Sequence, residues 1–188
     1  MDVVYCDYDH VLHGRALRYR KPPSLRRPET SGQTLFQNAA ILMRLLEPYP
    51  DLKIVLSTSW VKELGFGRAR GYLPQALQQR VLGATFHKRN TRKDEFSRLS
   101  HYEQIMTDVQ RRRPIWWLAI CADMQGWPEH ALQHLVPMPP LLGLSSPAAA
   151  LELQRRLAKV FGGVEKFLIH PDLVQNAKVQ WPDVDLDK

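Results

Sequence analysis

Cysteine is scarce in this sequence. Its 188 residues hold two, Cys6 and Cys121, each in or beside an apolar stretch and in no zinc-like spacing. That excludes a disulfide-stapled scaffold and a cysteine zinc module, and it fits a reducing compartment. Long apolar runs are missing as well: none approaches the roughly 20 residues that cross a bilayer, so no membrane span is expected. Nothing like a secretion signal precedes the first apolar run, which follows directly on Asp2, and a cytoplasmic location is the expectation. The histidines at 87, 101, 130, 134 and 170 share no ligand spacing, which argues against a histidine metal centre. Acid is scarce where base is dense. "RALRYRKPPSLRR", from Arg15 to Arg27, contains none, "HKRNTRK" runs from His87 to Lys93, and Arg111 to Arg113 form a triplet within a chain of net charge +7.

What remains is the composition of a globular protein, 44% hydrophobic and 24% charged, which excludes wholesale disorder. The length suits one well-filled core. We expect a single domain over residues 1–163, followed by an extension, 164–188, whose acidic end "WPDVDLDK" offers no readable role.

Three apolar stretches read as buried strands: "VVYC", "KIVLSTSW" and "PIWWLAIC". "HLVPMPP" is a candidate fourth, and Pro137 puts it at a sheet edge or a strand end. Between the first two strands, Leu35, Ala39, Leu42 and Leu46 recur at helical spacing until Pro48 and Pro50 stop the pattern. "YLPQALQQRVLG" and "DEFSRLSHYEQIMTDVQRR" carry further helical patterns. The last helix is the plainest, with Ser146 as N-cap, Pro147 in the first turn, Leu153, Leu157 and Val160 on one face, and Gly162-Gly163 as a stop. Strands alternating with helices predict an α/β fold with a mainly parallel sheet and right-handed crossovers.

Such sheets bind ligands beyond the carboxyl ends of their strands. Three predicted strands end in polar chemistry there: Asp7 and Asp9 after the first, Ser57 and Thr58 after the second, Asp123 after the third. Residues i and i+2 of a strand share a face, so Asp7 and Asp9 are expected to emerge together. An isolated Asp-x-Asp equally serves a turn, and Ser57-Thr58-Ser59 equally suits a helix N-cap. The ordered set is more specific than either.

In "VVYCDYDHVLHG", "KIVLSTSW" and "WWLAICADMQGWP", with the closing helix, the chain resembles the haloacid dehalogenase (HAD) superfamily. It is most similar to the compact HAD domains of Swiss-army-knife RNA repair proteins. The resemblance implies a Rossmann-like three-layer α/β/α domain with a minimal cap, and a phosphohydrolase that uses Mg²⁺. Asp7 would attack phosphorus to form an aspartyl-phosphate, and Asp9 would act as general acid and base. Asp7, Asp123 and the main-chain carbonyl of Asp9 would hold the metal, whose hard oxygen ligands suit it. Ser57 or Thr58 would bind the phosphoryl oxygens, with Arg98, or Lys93 in its place, neutralising them.

Two departures stand out. Relatives usually carry Gly after the second aspartate and an acidic pair after the third strand; here stand His10 and Cys121-Ala122-Asp123. A thiol is a poor partner for Mg²⁺. An alternative is therefore a catalytically impaired HAD-like module that binds nucleic acid or a protein through basic loops. In either case Arg18, Arg20, Arg26 and Arg27, just past the aspartates, are the candidates for contact with nucleic-acid phosphates. Phosphorylated nucleotides or nucleic-acid ends are the substrates such a surface would suit, although the same residues also make an ordinary solvated basic face.

Overall fold

A computed structural model describes residues 1–14, 35–89 and 91–162. Arg18, Arg20, Arg26 and Arg27, and the extension from 164, lie outside the described residues. Five parallel strands form one sheet: β1 (Val3–Cys6), β2 (Lys53–Leu56), β3 (Val81–Ala84), β4 (Trp117–Cys121) and β5 (Leu135–Pro137), in the order β3-β2-β1-β4-β5. β1 is central, with Val3–Cys6 paired to Lys53–Leu56 on one side and to Trp117–Ile120 on the other. The expected α/β architecture with a Rossmann-like parallel sheet is what the chain adopts.

Side chains alternate across each strand and build two cores. Val4, Cys6, Ile54, Leu56, Leu118 and Ile120 face one side, where α1 (Ala39–Leu46) and α7 (Pro147–Phe161) pack. Val3, Tyr5, Val55, Trp117, Ala119 and Cys121 face the other, against Ile105, Met106 and Val109 of α6 (His101–Arg112). Both faces are covered, so these strands read as continuous apolar runs rather than alternating ones. β5 is an edge strand ending at Pro137, where the missing N–H breaks no ladder. α7 starts as the sequence indicates, with the Ser146 hydroxyl accepting from the Ala149 N–H and Pro147 in the first turn.

The structure departs from expectation in two elements. "YLPQALQQRVLG" is not one helix: α4 (Gln75–Gln78) ends and β3 begins at Val81. β3 is short, holds Gly83 and exposes Leu82, so it lacks the dense apolar run that marks the central strands. "DEFSRLSHYEQIMTDVQRR" divides into α5 (Lys93–Arg98) and α6. The break is a capping box at Ser100, whose hydroxyl accepts from the Glu103 N–H while the Glu103 carboxylate accepts from the Ser100 N–H. Two short helices, α2 (Ser59–Leu64) and α3 (Phe66–Gly71), follow β2.

Candidate active site

Strand parity decides which side chains reach the site. Past β1, β2 and β4, the next positions on the α6 side of the sheet belong to Asp7, Ser57 and Asp123, which continue the rows ending in Tyr5, Val55 and Cys121. All three line one cavity of about 520 Å³, together with Lys62, Arg98 and His101. α6 supplies His101 as its first residue. Gly126, at φ 80°, brings the loop after β4 against the capping Ser100, where a Cβ would lie 2.8 Å from the Ser100 hydroxyl. The cap thus holds the Asp123 loop and the His101 helix together.

Asp7 Oδ1 accepts the Tyr8 N–H at 2.6 Å. Burial raises its carboxyl above the ordinary range, while the His101 ring, the Tyr8 N–H and the Thr58 hydroxyl pull it back and the Asp9 charge pushes it further up. A buried carboxylate in this state calls for a cation. Two polar atoms beside it, Ser57 Oγ and His101 Nε2, are buried without a hydrogen-bond partner among the described residues. Such atoms are costly unless a ligand satisfies them.

Asp9 stands near enough for its charge to act on Asp7, although its side chain is not among those lining the cavity. The strand ends at Cys6, and the Val11 and Leu12 N–H groups turn back onto the Tyr8 carbonyl, so Asp9 sits in a tight turn. Its Oδ1 accepts from the indole N–H of Trp60 at 3.2 Å and lies 3.0 Å from His13 Nε2. Trp60 and His13 stand among Tyr8, Phe36 and Tyr72, with Trp60 ring centroids 5.1 Å from Tyr72, 5.4 Å from Phe36 and 5.6 Å from Tyr8. The general-acid candidate is therefore held by an aromatic box.

His10 has φ 62°, the left-handed region that favours glycine, which accounts for the residue usual in relatives. Here its Nδ1 contacts the Pro140 carbonyl, tying the loop to the segment after β5. Asn38 reinforces the tie: its side-chain amide donates to the carbonyls of Val11 and Leu142, both at 3.0 Å. Gly143 sits at φ 54°, and a Cβ there would meet the Val11 carbonyl at 2.5 Å.

Thr58 is buried, capping α2 and hydrogen-bonding to Asp7, and of the pair it is Ser57 that lines the cavity, with Ser59 and Ser100. Arg98 lines the cavity; Lys93 lies in a neighbouring groove. Cys121 is buried in the second core, its thiol pushed up by burial and donating to the Asp123 carbonyl, so it takes no part in the cavity. Ala122 packs against the first core. Asp123 is the carboxylate that the third motif presents. Sequence reasoning missed His101, His13 and Asn38. Only His13, four residues after Asp9, carried a local signal.

A family model described as the HAD domain in Swiss Army Knife RNA repair proteins matches residues 3–149. The chain belongs to that family. No curated protein and no solved structure is similar enough to the chain to count as a match. In this HAD domain the three motif strands are β1, β2 and β4, adjacent at the centre of the sheet, and the match spans all five strands.

HAD proteins generally use Mg²⁺. Among the described residues no three His, Cys, Asp or Glu side chains converge as a metal cluster. Three carboxylates, Asp7, Glu103 and Asp123, line one cavity; Glu103 is engaged by the Ser100 cap, which leaves Asp7 and Asp123, and the third protein ligand expected is a main-chain carbonyl. This all-oxygen set has the chemistry Mg²⁺ takes, with water completing its shell. No helix among the described residues is long and apolar enough to cross a membrane.

Proposed function

We propose that this HAD domain is a Mg²⁺-dependent phosphohydrolase acting on nucleotide or nucleic-acid phosphates. The observation that carries the reading is one cavity, at the carboxyl ends of the three motif strands, lined by Asp7, Ser57, Asp123, Arg98 and His101. A nucleophile, a hydroxyl donor and cationic groups that fit a phosphoryl oxygen all face it.

Asp7, Asp123 and the Asp9 carbonyl would hold the metal, which, when bound, neutralises charge on the phosphoryl group and the attacking carboxylate. Asp7 attacks phosphorus and forms the aspartyl-phosphate as the alcohol leaves. Asp9, aimed by Trp60 and His13, protonates that leaving oxygen and then takes a proton from the attacking water. Ser57 and His101, the two cavity-lining groups buried without a hydrogen-bond partner among the described residues, donate to the equatorial phosphoryl oxygens, and Arg98 adds charge in the lining.

The test is turnover of an aryl phosphate by the wild type and by Asp7→Asn, with and without Mg²⁺. Metal-dependent hydrolysis in the wild type, reduced at least a thousandfold in the variant while circular dichroism is unchanged, is the expected result. Equal rates in both overturn the mechanism. No turnover together with no Mg²⁺ binding by calorimetry replaces it with a binding-only module.

A further inference from the structure

A second groove, of about 610 Å³, opens at the carboxyl end of β3, the edge strand beside β2. Among the described residues it is lined by five lysines and arginines and a single acid, Glu63. Lys62 lines both this groove and the Asp7 cavity, so the two lie side by side, and its ammonium donates to the Ser97 hydroxyl at 2.8 Å. The wall beneath is the edge-to-face pair Phe86 and Phe96, 5.0 Å between centroids, one ring lining each cavity.

The charges are held by local ion pairs. Lys62 and Lys93 flank Glu63 at 3.7 and 3.9 Å, so two ammonium groups share one carboxylate at the rim. Lys88 has no acidic partner among the described residues and stands beside His87, whose Nε2 lies 2.7 Å from an Arg111 guanidinium nitrogen. Arg111 and Arg112 are both anchored on Asp108, which is buried beneath them, and Arg112 occupies the space that a side chain at Gly83 would fill. That anchoring fixes the two guanidinium groups in the lining. Phe66, 39% exposed, also lines the groove.

We propose that this groove holds the body of a single-stranded polynucleotide whose terminal phosphate lies at Asp7. A cation-rich groove with an exposed aromatic ring beside the cavity fits a phosphate backbone with stacked bases; a lone mononucleotide would need only the cavity. The proposal rests on the phosphohydrolase reading for its terminal phosphate and deepens it to a substrate class. The basic segment of residues 15–27 plays no part in it.

The experiment uses the full chain with Asp7→Asn, which keeps a bound end from being hydrolysed. Fluorescence anisotropy measures its affinity for labelled ten-nucleotide RNA and DNA strands bearing a 5′- or a 3′-phosphate, across a salt series. The same strands are titrated into Asp7→Asn carrying Lys88→Gln and Lys93→Gln. The expected result is at least a tenfold loss of affinity and a log–log salt slope shallower by roughly 1.4, about 0.7 per lost phosphate contact. The RNA and DNA arms, and the two end positions, report which polynucleotide and which end the groove accepts. Unchanged affinity and slope overturn the groove assignment, whatever the turnover of the wild type. Equal affinity for a polyglutamate peptide overturns it as well, leaving a general polyanion surface. A wild type that hydrolyses no phosphate while the groove variant still loses strand binding separates the two readings, since the phosphohydrolase then fails alone.

Discussion

At the scale of single residues, the two aspartates of "CDYDH" have been given different surroundings. Asp7 is buried beside a cavity and its carboxyl is raised, whereas Asp9 is clasped by Trp60 and His13. A carboxyl whose folded value exceeds its unfolded one costs stability wherever the group is ionised. That cost is absent below the ordinary value of 3.8 and is complete above the raised one. In metal-free buffer, Asp7→Asn should therefore melt higher than the wild type at neutral pH, and the gap should close as pH falls below 3.8. A gap independent of pH in thermal melts would contradict this. Trp60 acts through Asp9, so Trp60→Phe removes one donor to a carboxylate and should lower kcat about tenfold with little change in KM. The defect should be larger for an alkyl phosphate than for a nitrophenyl phosphate, because only the poorer leaving group depends on the proton. An equal defect on both would make Trp60 a packing residue only.

At the scale of elements, the site depends on contacts between turns more than on the strands themselves. Gly143 admits the turn after β5 to within contact of the Asp9 loop, where Leu144 donates its N–H to the Val11 carbonyl at 3.1 Å. Gly143→Ala keeps every side chain of the cavity, yet it places a methyl group on that carbonyl in a left-handed backbone. We expect a loss of about 2 kcal/mol in denaturant unfolding and a fall in turnover beyond what the unfolded fraction explains. Full activity per folded molecule would show that the loop holds its shape without this contact. This scale also marks what the sequence could tell. The central strands, α7 and the ends carrying Asp7, Ser57 and Asp123 were legible because burial on both faces leaves continuous apolar runs. β3 was not, because an edge strand with Gly83 and an exposed Leu82 has no such run. The break between α5 and α6 was written at Ser100 and Glu103, but a capping box inside a helical pattern is easily read through.

At the scale of the whole molecule, parity accounts for the two hydroxyls after β2. Rows of alternating side chains put Ser57 in the cavity lining, while Thr58, on the other parity, caps α2 and hydrogen-bonds to Asp7. His101 and Asn38 could not be read from the chain, since each matters through an approach that only the folded sheet creates. Their partners lie far away: His101 acts at Asp7, and Asn38 joins Val11 to Leu142.

The same long ties order events in time. β1 is synthesised well before β4, one of its neighbours, and the loop that follows it closes on Pro140, Leu142 and Leu144. Contacts of such sequence separation form slowly, and on a ribosome they cannot form until the later partner has left the exit tunnel. A nascent chain stopped before Pro140 would carry both aspartates without the contacts that fix the loop between them and α1. Asp7 is made long before the segment that sets its loop in place.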